Sequence, residues 1–262
     1  MSTLMETLFL IFRHPLLLLL LSFVLLSLSS WIGATRLKSL KAQVAEQAED
    51  YRMVEGATLT LLGLIIGFTF AMAVSRYDQR KNYEEAEANA IGTEYVRADL
   101  LPAGDAARVR KLLLDYLDQR VLFYTIREER QLAQINARTD KLEAELWSAV
   151  RTPASAQPTA VVSLAVAGMN DVLNSQGYTQ AAWLNSIPTA AWALLVAIAI
   201  GSSLLVGLGA KAGRLQSRVL LILPLILSVA FFLIADIDSP RYGMIKVSPQ
   251  NLLLLSKSLR GT

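Results

Sequence analysis

Four long stretches without a charged residue constrain this 262-residue chain more than any other feature. They cover residues 15–35, 56–75, 188–210 and 219–235. Because an α-helix rises 1.5 Å per residue, about 20 residues cross the roughly 30 Å hydrocarbon core of a bilayer. The first three stretches are long enough, whereas the fourth covers only about 25 Å and needs snorkelling side chains or local thinning of the bilayer. We therefore predict four transmembrane helices.

The first stretch also has an alternative interpretation. A short basic start, a leucine run and small residues together describe a secretory signal as well as a membrane span. Its 21 apolar and small residues are long for the apolar part of a signal, and we expect it to be a retained span. A buried helix of a soluble protein does not account for four such stretches.

Residues 76–187, between the second and third spans, are polar and have helical periodicity. In RVRKLLLDYLDQRVLFYTIREERQLAQI, Leu113, Leu117, Val121 and Tyr124 recur at helical spacing with charged residues opposite. TPASAQPT reads as a linker punctuated by proline, and no alternating strand pattern appears. We predict an all-α extramembrane domain of three or four helices, inserted over 76–187 and continuous with the second span.

The composition argues against nucleic-acid binding and against catalysis. Residues 76–151 hold 13 basic and 14 acidic residues, so the insert lacks the clustered basic excess of a nucleic-acid surface. The chain has no cysteine and one histidine, His14, and it has no phosphate loop or nucleophile elbow. Glutamates of the insert lie among arginines, which is typical of an ion-paired helix face. We expect no enzyme activity and no cofactor.

The second span carries a stripe of small residues that could line a pore. Thr60, Gly63, Gly67, Phe70 and Val74 fall on one side of a helix. The spacing in GLIIG allows close helix–helix packing, which is the simpler interpretation. The alternative is that the stripe lines a pore, with Phe68 or Phe70 as a hydrophobic constriction that gates by dewetting.

Charged residues continue the same side of this helix beyond the membrane: Arg76, Arg80, Glu84, Glu87 and Glu94. In a symmetric ring of subunits each position would form a belt of charge. We predict that these residues form a charged pore mouth or vestibule. This prediction requires that they face water in the oligomer.

Two acids end the fourth span in ADIDSPRYG, before a predicted C-terminal tail over residues 236–262. Asp236 and Asp238 fit ordinary helix termination at the membrane boundary. They also fit a latch between subunits or a cation site, because hard cations take clustered carboxylate oxygens. Two carboxylates alone do not define a metal site.

Two segments carry a resemblance to a known family. FTFAMAVSRYDQRKNYEEAEANAIGTEYVRADLLP and DIDSPRYGMIKVS resemble the bestrophin-like domain family of bacterial membrane proteins, over about residues 57–247. The marks are Arg76-Tyr77, the Glu87-Ala88-Asn89 segment, Arg97, Pro102, and Asp236, Asp238, Pro240 and Gly243. Bestrophins proper are pentameric anion channels, with four spans per subunit and a pore lined by the second. The present second span has no proline, and few acids follow the fourth span, which departs from the calcium-gated pattern.

The resemblance implies a homo-oligomeric, pentameric ion channel of the plasma (inner) membrane that conducts anions such as chloride. Its partners would be further copies of the chain, membrane lipids and inorganic ions. Two alternatives stay open: a cation-selective channel of the same architecture, and a non-conducting scaffold whose helical domain binds a partner. The resemblance places the helical domain in the cytoplasm. Basic residues near the span ends are almost equally divided between the two sides, and the acid-free loop over residues 211–218 favours the opposite placement.

Overall fold

The computed structural model describes residues 15–37, 40, 46–210 and 218–261, and these contain helices and no strand. His14 and most of the acid-free loop over residues 211–218 lie outside these residues. The helices are α1 (Pro15–Thr35), α2 (Ala48–Arg97), a 3-10 helix (Ala98–Leu100), α3 (Ala103–Thr125), α4 (Glu129–Ala156), α5 (Ala160–Leu184), α6 (Thr189–Gly209), α7 (Ile222–Asp238) and α8 (Gln250–Arg260). The all-α prediction is confirmed.

Helix α2 is 50 residues long and includes the candidate pore stripe and the charged residues after it. No proline interrupts it, and its glycines do not break it. It begins eight residues before the predicted start of the second span. The 3-10 helix Ala98–Leu100 follows it directly, and Leu101 is then extended because the residue before a proline disfavours the helical conformation.

The chain divides into two compact units. The apolar unit contains the described residues up to Arg76 together with Ser186–Lys246, and the polar unit contains Tyr77–Asn185 together with the described residues from Val247 onward. Within the described residues, three helical segments contain a stretch long and apolar enough to cross a membrane: Pro15–Thr35, Ala48–Leu100 and Ala160–Gly209. Helix α7, at the predicted fourth span, has 17 residues and is not among them.

Small residues hold the apolar unit together. Helix α1 packs against α6 and α7, and Gly33 of α1 lies against Gly207 of α6. A Cβ atom at Gly207 would clash with the Ser30 carbonyl oxygen and come within 3.1 Å of the Ala34 nitrogen. The Ser29 hydroxyl donates to the Ile200 carbonyl at 2.9 Å. These contacts bring the two backbones together, as small residues do in membrane helix pairs.

The polar unit has a hydrophobic core formed by the second half of α2 with α3, α4, α5 and α8. Fully buried side chains include Ile91, Leu113, Leu117, Leu142 and Leu146. Leu113 and Leu117 were predicted on the inner stripe of α3. The core fixes which face of α2 is covered in this unit, and this decides the surroundings of the charged residues.

The structure changes one local prediction and adds detail to another. Helix α4 continues through Pro153 to Ala156, so the predicted linker shortens to the few residues before Ala160. The predicted C-terminal tail contains α8, an amphipathic helix whose Leu252 is fully buried. In both cases packing against the unit stabilises helix where the local sequence favours a loop or a tail.

Candidate functional site

The small-residue stripe of α2 is not covered by the residues of its own chain that the structure describes. Thr60, Gly63, Gly67 and Phe70 are exposed and Val74 is half-buried. The buried residues of the same segment are Leu62, Thr69 and Ala73, which occupy another face. A Cβ atom at Gly63 or Gly67 would meet no described atom within 4 Å. The close approach that these glycines permit is therefore not used by the described part of this chain.

The two phenylalanines of this segment do not share a face. Phe68 is 63% exposed and Phe70 is 40% exposed. At 3.6 residues per turn, side chains two positions apart are separated by about 200° around the helix axis. Phe70 lies on the side of the glycine stripe, whereas Phe68 lies away from it. Only one of them can narrow a pore lined by that stripe.

The charged residues beyond the apolar segment share one face of α2, and that face points into the polar unit. It is not the face of the glycine stripe, as was predicted, because Val74 and Arg76 are two positions apart and so are separated by about 200° around the helix axis. Arg80, Glu84, Glu87 and Glu94 are each at most 1% exposed. Arg76, which ends the first of the two segments of the apolar unit, is half-buried. The predicted vestibule is corrected for Arg80, Glu84, Glu87 and Glu94, because side chains enclosed by their own subunit do not face a water-filled lumen.

Glu84 holds the start of α8. Its Oε1 accepts the Leu252 backbone N–H at 3.0 Å, and its Oε2 accepts the Asn251 side-chain amide at 2.6 Å. The first backbone N–H groups of a helix have no partner within the helix and carry partial positive charge. The carboxylate therefore caps α8 from a residue that lies 168 positions earlier in the chain.

Glu87 forms the centre of a buried polar cluster. It makes an ion pair with Arg120 of α3, and both side chains are fully buried. The Thr179 hydroxyl of α5 donates to its Oε2 at 3.1 Å, and the Tyr124 hydroxyl donates to the same atom at 3.4 Å. The Glu87 carboxylate of α2 thus connects α2 to α3 and α5, because groups on both of those helices satisfy part of its hydrogen-bonding capacity.

Charge and burial act in opposite directions on Arg120. Burial alone would lower the pKa of its guanidinium, but the Glu87 carboxylate beside it raises the pKa above its ordinary value. The guanidinium also lies 4.5 Å from the Phe123 ring centroid. Because its pKa is raised, Arg120 stays charged at every physiological pH. Glu143 of α4 is a neighbouring acid: burial raises its pKa to about 7, and the charge of Arg120 opposes this shift.

Glu94 differs from the other buried acids of α2. Neither of its oxygens has a hydrogen-bond partner among the residues that the structure describes. Burial raises the pKa of Glu94 to about 8, with Arg97 opposing and Asp171 adding to the shift. The carboxyl lies against Gly168 of α5, where a Cβ atom would clash with its Oε2. At neutral pH this side chain is mostly protonated.

The two acids at the end of α7 hold backbone rather than offering free oxygens. Asp236 is 1% exposed, and its two oxygens accept the Met244 and Ile245 backbone N–H groups at 2.7 and 2.8 Å. Asp238 Oδ2 accepts the Ile187 N–H at 2.9 Å. The interpretation of Asp236 and Asp238 as a cation site is corrected, because amide donors occupy the positions that a cation would need. The alternative interpretation of Asp236 and Asp238 as a latch between subunits stays a prediction.

The turn after α7 also depends on Gly243. A Cβ atom there would clash with the Asp236 carbonyl oxygen and come within 2.9 Å of the Ser239 carbonyl oxygen. No cluster of three or more metal-ligating side chains occurs in the described ranges. Asp236, Asp238 and Gly243 together build a structural turn.

Sequence reasoning missed three members of the Glu87 cluster: Arg120, Tyr124 in its polar role, and Thr179. A signal existed for Arg120, because it follows Leu113 and Leu117 at helical spacing and so falls on the predicted inner stripe of α3. Val121, which was placed on that stripe, is only half-buried. No local pattern marks Thr179, which lies 92 residues from Glu87.

Comparison with known proteins identifies the family. The model of the bestrophin-like domain matches residues 19–252. The chain belongs to the bestrophin-like domain family. The resemblance found from the sequence is thereby confirmed, and with the apolar helices it makes this bestrophin-like chain an integral membrane protein. No curated protein matches its sequence.

Solved structures share the fold of this bestrophin-like chain. A bacterial bestrophin homologue from Klebsiella pneumoniae is similar with a TM-score of 0.64 at 13% identity, covering 92% of this chain and 97% of that one. A point variant of a Klebsiella pneumoniae homologue gives 0.66 at 13% identity, with 93% and 99% covered. A structure described as a membrane protein gives 0.64 at 14% identity, with 93% and 97% covered. At these identities the likeness establishes the fold.

Proposed function

We propose that the chain is one subunit of a homo-oligomeric, pentameric ion channel of the plasma (inner) membrane. Each subunit would cross the membrane four times, through residues 15–35, 56–75, 188–210 and 219–235. The helical domain would lie in the cytoplasm. The proposed channel uses no cofactor and catalyses no reaction.

One observation carries this proposal beyond family membership: none of the residues that the structure describes covers the stripe of Thr60, Gly63, Gly67 and Phe70. Glycines expose polar backbone and leave space, which suits a wall facing water or an adjacent copy of the same helix. Several copies of this helix around one axis would enclose a pore. Phe70 lies on the stripe and would be its narrowest apolar point.

We further propose that the channel prefers anions, such as chloride. The likeness to the bestrophin family supports this preference, and Glu84, Glu87 and Glu94 are enclosed by their own subunit, so these carboxylates do not line the lumen. Arg76 keeps partial exposure, but it lies about 200° around the helix axis from Val74 and so does not lie on the glycine stripe. A cation-selective channel of the same architecture would need acids that face the lumen.

Planar-bilayer recording of the purified protein tests the function directly. In a salt gradient we expect a current whose reversal potential lies toward the anion equilibrium potential. A reversal potential of the opposite sign would establish the cation-selective alternative. A silent preparation, with incorporation verified by labelled protein, would contradict the channel.

A second candidate function is a non-conducting scaffold, favoured by one feature of the polar unit. A hollow of about 650 Å³ lies between α4 and α5, beside Trp147, Pro158, Val162 and Val166. Trp147 is 38% exposed at its edge. A scaffold would show binding of a partner at this hollow and no current, so the same recording separates the two candidates.

A further inference from the structure

Glu94 is a buried acid without a hydrogen-bond donor. It is 0% exposed, and neither oxygen has a hydrogen-bond partner among the described residues. An ionised carboxylate in such a place loses its hydration and gains no hydrogen bond in return. The charge of Arg97 offsets only part of this cost, so the neutral acid is the form that the packing favours. Glu84 and Glu87 on the same helix differ, because donors from other elements meet both of them.

The surroundings of Glu94 leave no space for water on the side of α5. Gly168 faces the carboxyl, and a Cβ atom at this glycine would clash with Glu94 Oε2 and come within 2.6 Å of Arg97 Nη1. Two charged groups act on the acid: Arg97 on the same helix and Asp171 on α5. Ionisation would therefore require either a movement of Arg97 or a separation of α2 from α5.

We propose that Glu94 is the proton-binding group of a switch between α2 and α5: the neutral acid permits their close packing at Gly168, and its ionisation loosens this contact. The switch lies within the polar unit. It stands independently of the proposed channel function.

The direction of the pH effect follows from linkage. Burial raises the pKa of Glu94 from 4.5 to about 8. Between these two values the folded chain binds more protons than the unfolded chain, so the contribution of Glu94 to stability falls as the pH rises through this window. The full contribution is present below about pH 4.5 and is lost above about pH 8.

Amide hydrogen exchange of the purified full-length protein tests the switch. Wild type and Glu94→Gln are compared at pH 6 and pH 9, on either side of the pKa of about 8, with rates corrected for intrinsic exchange. All of these proteins, including the otherwise wild-type reference, carry Glu143→Gln, because burial raises the pKa of Glu143 to about 7. We expect protection of residues 160–184 to fall at pH 9 with Glu94 present, and to stay constant in Glu94→Gln. Glu85→Gln, an exposed glutamate of the same helix, is the matched control and should behave like wild type.

Loss of protection that is equal with and without Glu94 would overturn the proposal, and so would constant protection in wild type. If Glu94→Gln does not fold, infrared spectroscopy of the Glu143→Gln protein gives the decision. The carbonyl stretch of a protonated carboxyl should be present at pH 7 and absent at pH 10. Its absence at pH 7 would overturn the proposal. A protein that shows the exchange step and carries no current supports the switch and contradicts the proposed channel.

Discussion

At the scale of single residues, the Glu87–Arg120 pair is a buried ion pair in which each charge needs the other as its partner. Both side chains are fully buried, and hydroxyl groups of Thr179 and Tyr124 complete the hydrogen bonds of the carboxylate. Removing one member leaves the other charge buried and unpaired, which costs far more than the pair itself contributes. The pair is therefore a point of vulnerability rather than a source of extra stability.

We expect Arg120→Met to destabilise the protein by about 3–5 kcal/mol, because the Glu87 carboxylate loses its cation while it stays fully buried. The free energy of unfolding can be measured by a urea titration followed by tryptophan fluorescence. Trp183 reports on this region because its ring centroid lies 5.0 Å from that of Phe123 and 5.2 Å from that of Tyr124. Lys141→Met is the matched control, because Lys141 belongs to an exposed ion pair with Glu145. Its effect should stay within about 0.5 kcal/mol. Equal losses in both variants would contradict the account.

Phe70 and Phe68 give a second residue-scale test, because they face opposite sides of one helix. If the glycine stripe lines the pore, Phe70→Ala widens an apolar constriction and raises the leak current measured in a planar bilayer. Phe68→Ala removes an equal side chain from the other side and should leave the current unchanged. A leak current that rises only in Phe68→Ala would show that the pore lies on the Phe68 side of α2, which would contradict a pore lined by the glycine stripe.

At the scale of elements, the glycine contact between α1 and α6 is the most sensitive packing in the apolar unit. Gly207→Ala forces a methyl group into the α1 backbone near Ser30 and Ala34. We expect a loss of about 1–3 kcal/mol, as in other overpacked sites. Thermal unfolding of the purified protein in one detergent measures it.

Gly201→Ala on the same helix is the control for that substitution. A Cβ atom there meets nothing within 4 Å, and alanine favours helix over glycine by about 0.5–1 kcal/mol. The two substitutions should therefore shift the midpoint in opposite directions. A fall of similar size in the unfolding midpoint of Gly201→Ala would contradict this account, because the loss in Gly207→Ala could then not be assigned to the contact between Gly207 and α1.

At the scale of the whole molecule, the proposed pore can be tested by cysteine labelling, because the sequence has no cysteine and an introduced one would be the only thiol. Gly63→Cys places a thiol in open space on the glycine stripe, and Leu61→Cys places one about 200° away on an exposed position. In membranes, a water-soluble, impermeant thiol reagent should modify Gly63→Cys and reduce the current. Leu61→Cys, facing lipid, should resist modification. The reverse pattern would contradict the oligomer proposed here.

Local periodicity was enough to predict the all-helical class, and the predicted first span coincides with α1 (Pro15–Thr35). It also placed Arg80, Glu84, Glu87 and Glu94 on one side of α2. It did not tell what covers that side, because the covering groups come from distant parts of the chain. Leu252 meets Glu84 from 168 residues away. A charged stripe that reads as a water-facing wall is therefore, in three dimensions, the polar seam of a bundle.

The cap that Glu84 places on α8 has a consequence for how the protein is made. The polar unit takes its last helix from the sequence after residue 249, so two apolar helices, α6 and α7, leave the ribosome before its core can close. Until α8 is synthesised, Glu84 has neither of the amide donors that α8 supplies. A chain released before Gln250 would leave this carboxylate without those hydrogen bonds and would leave the core without the Leu252 side chain. We expect quality-control proteases to degrade such a chain.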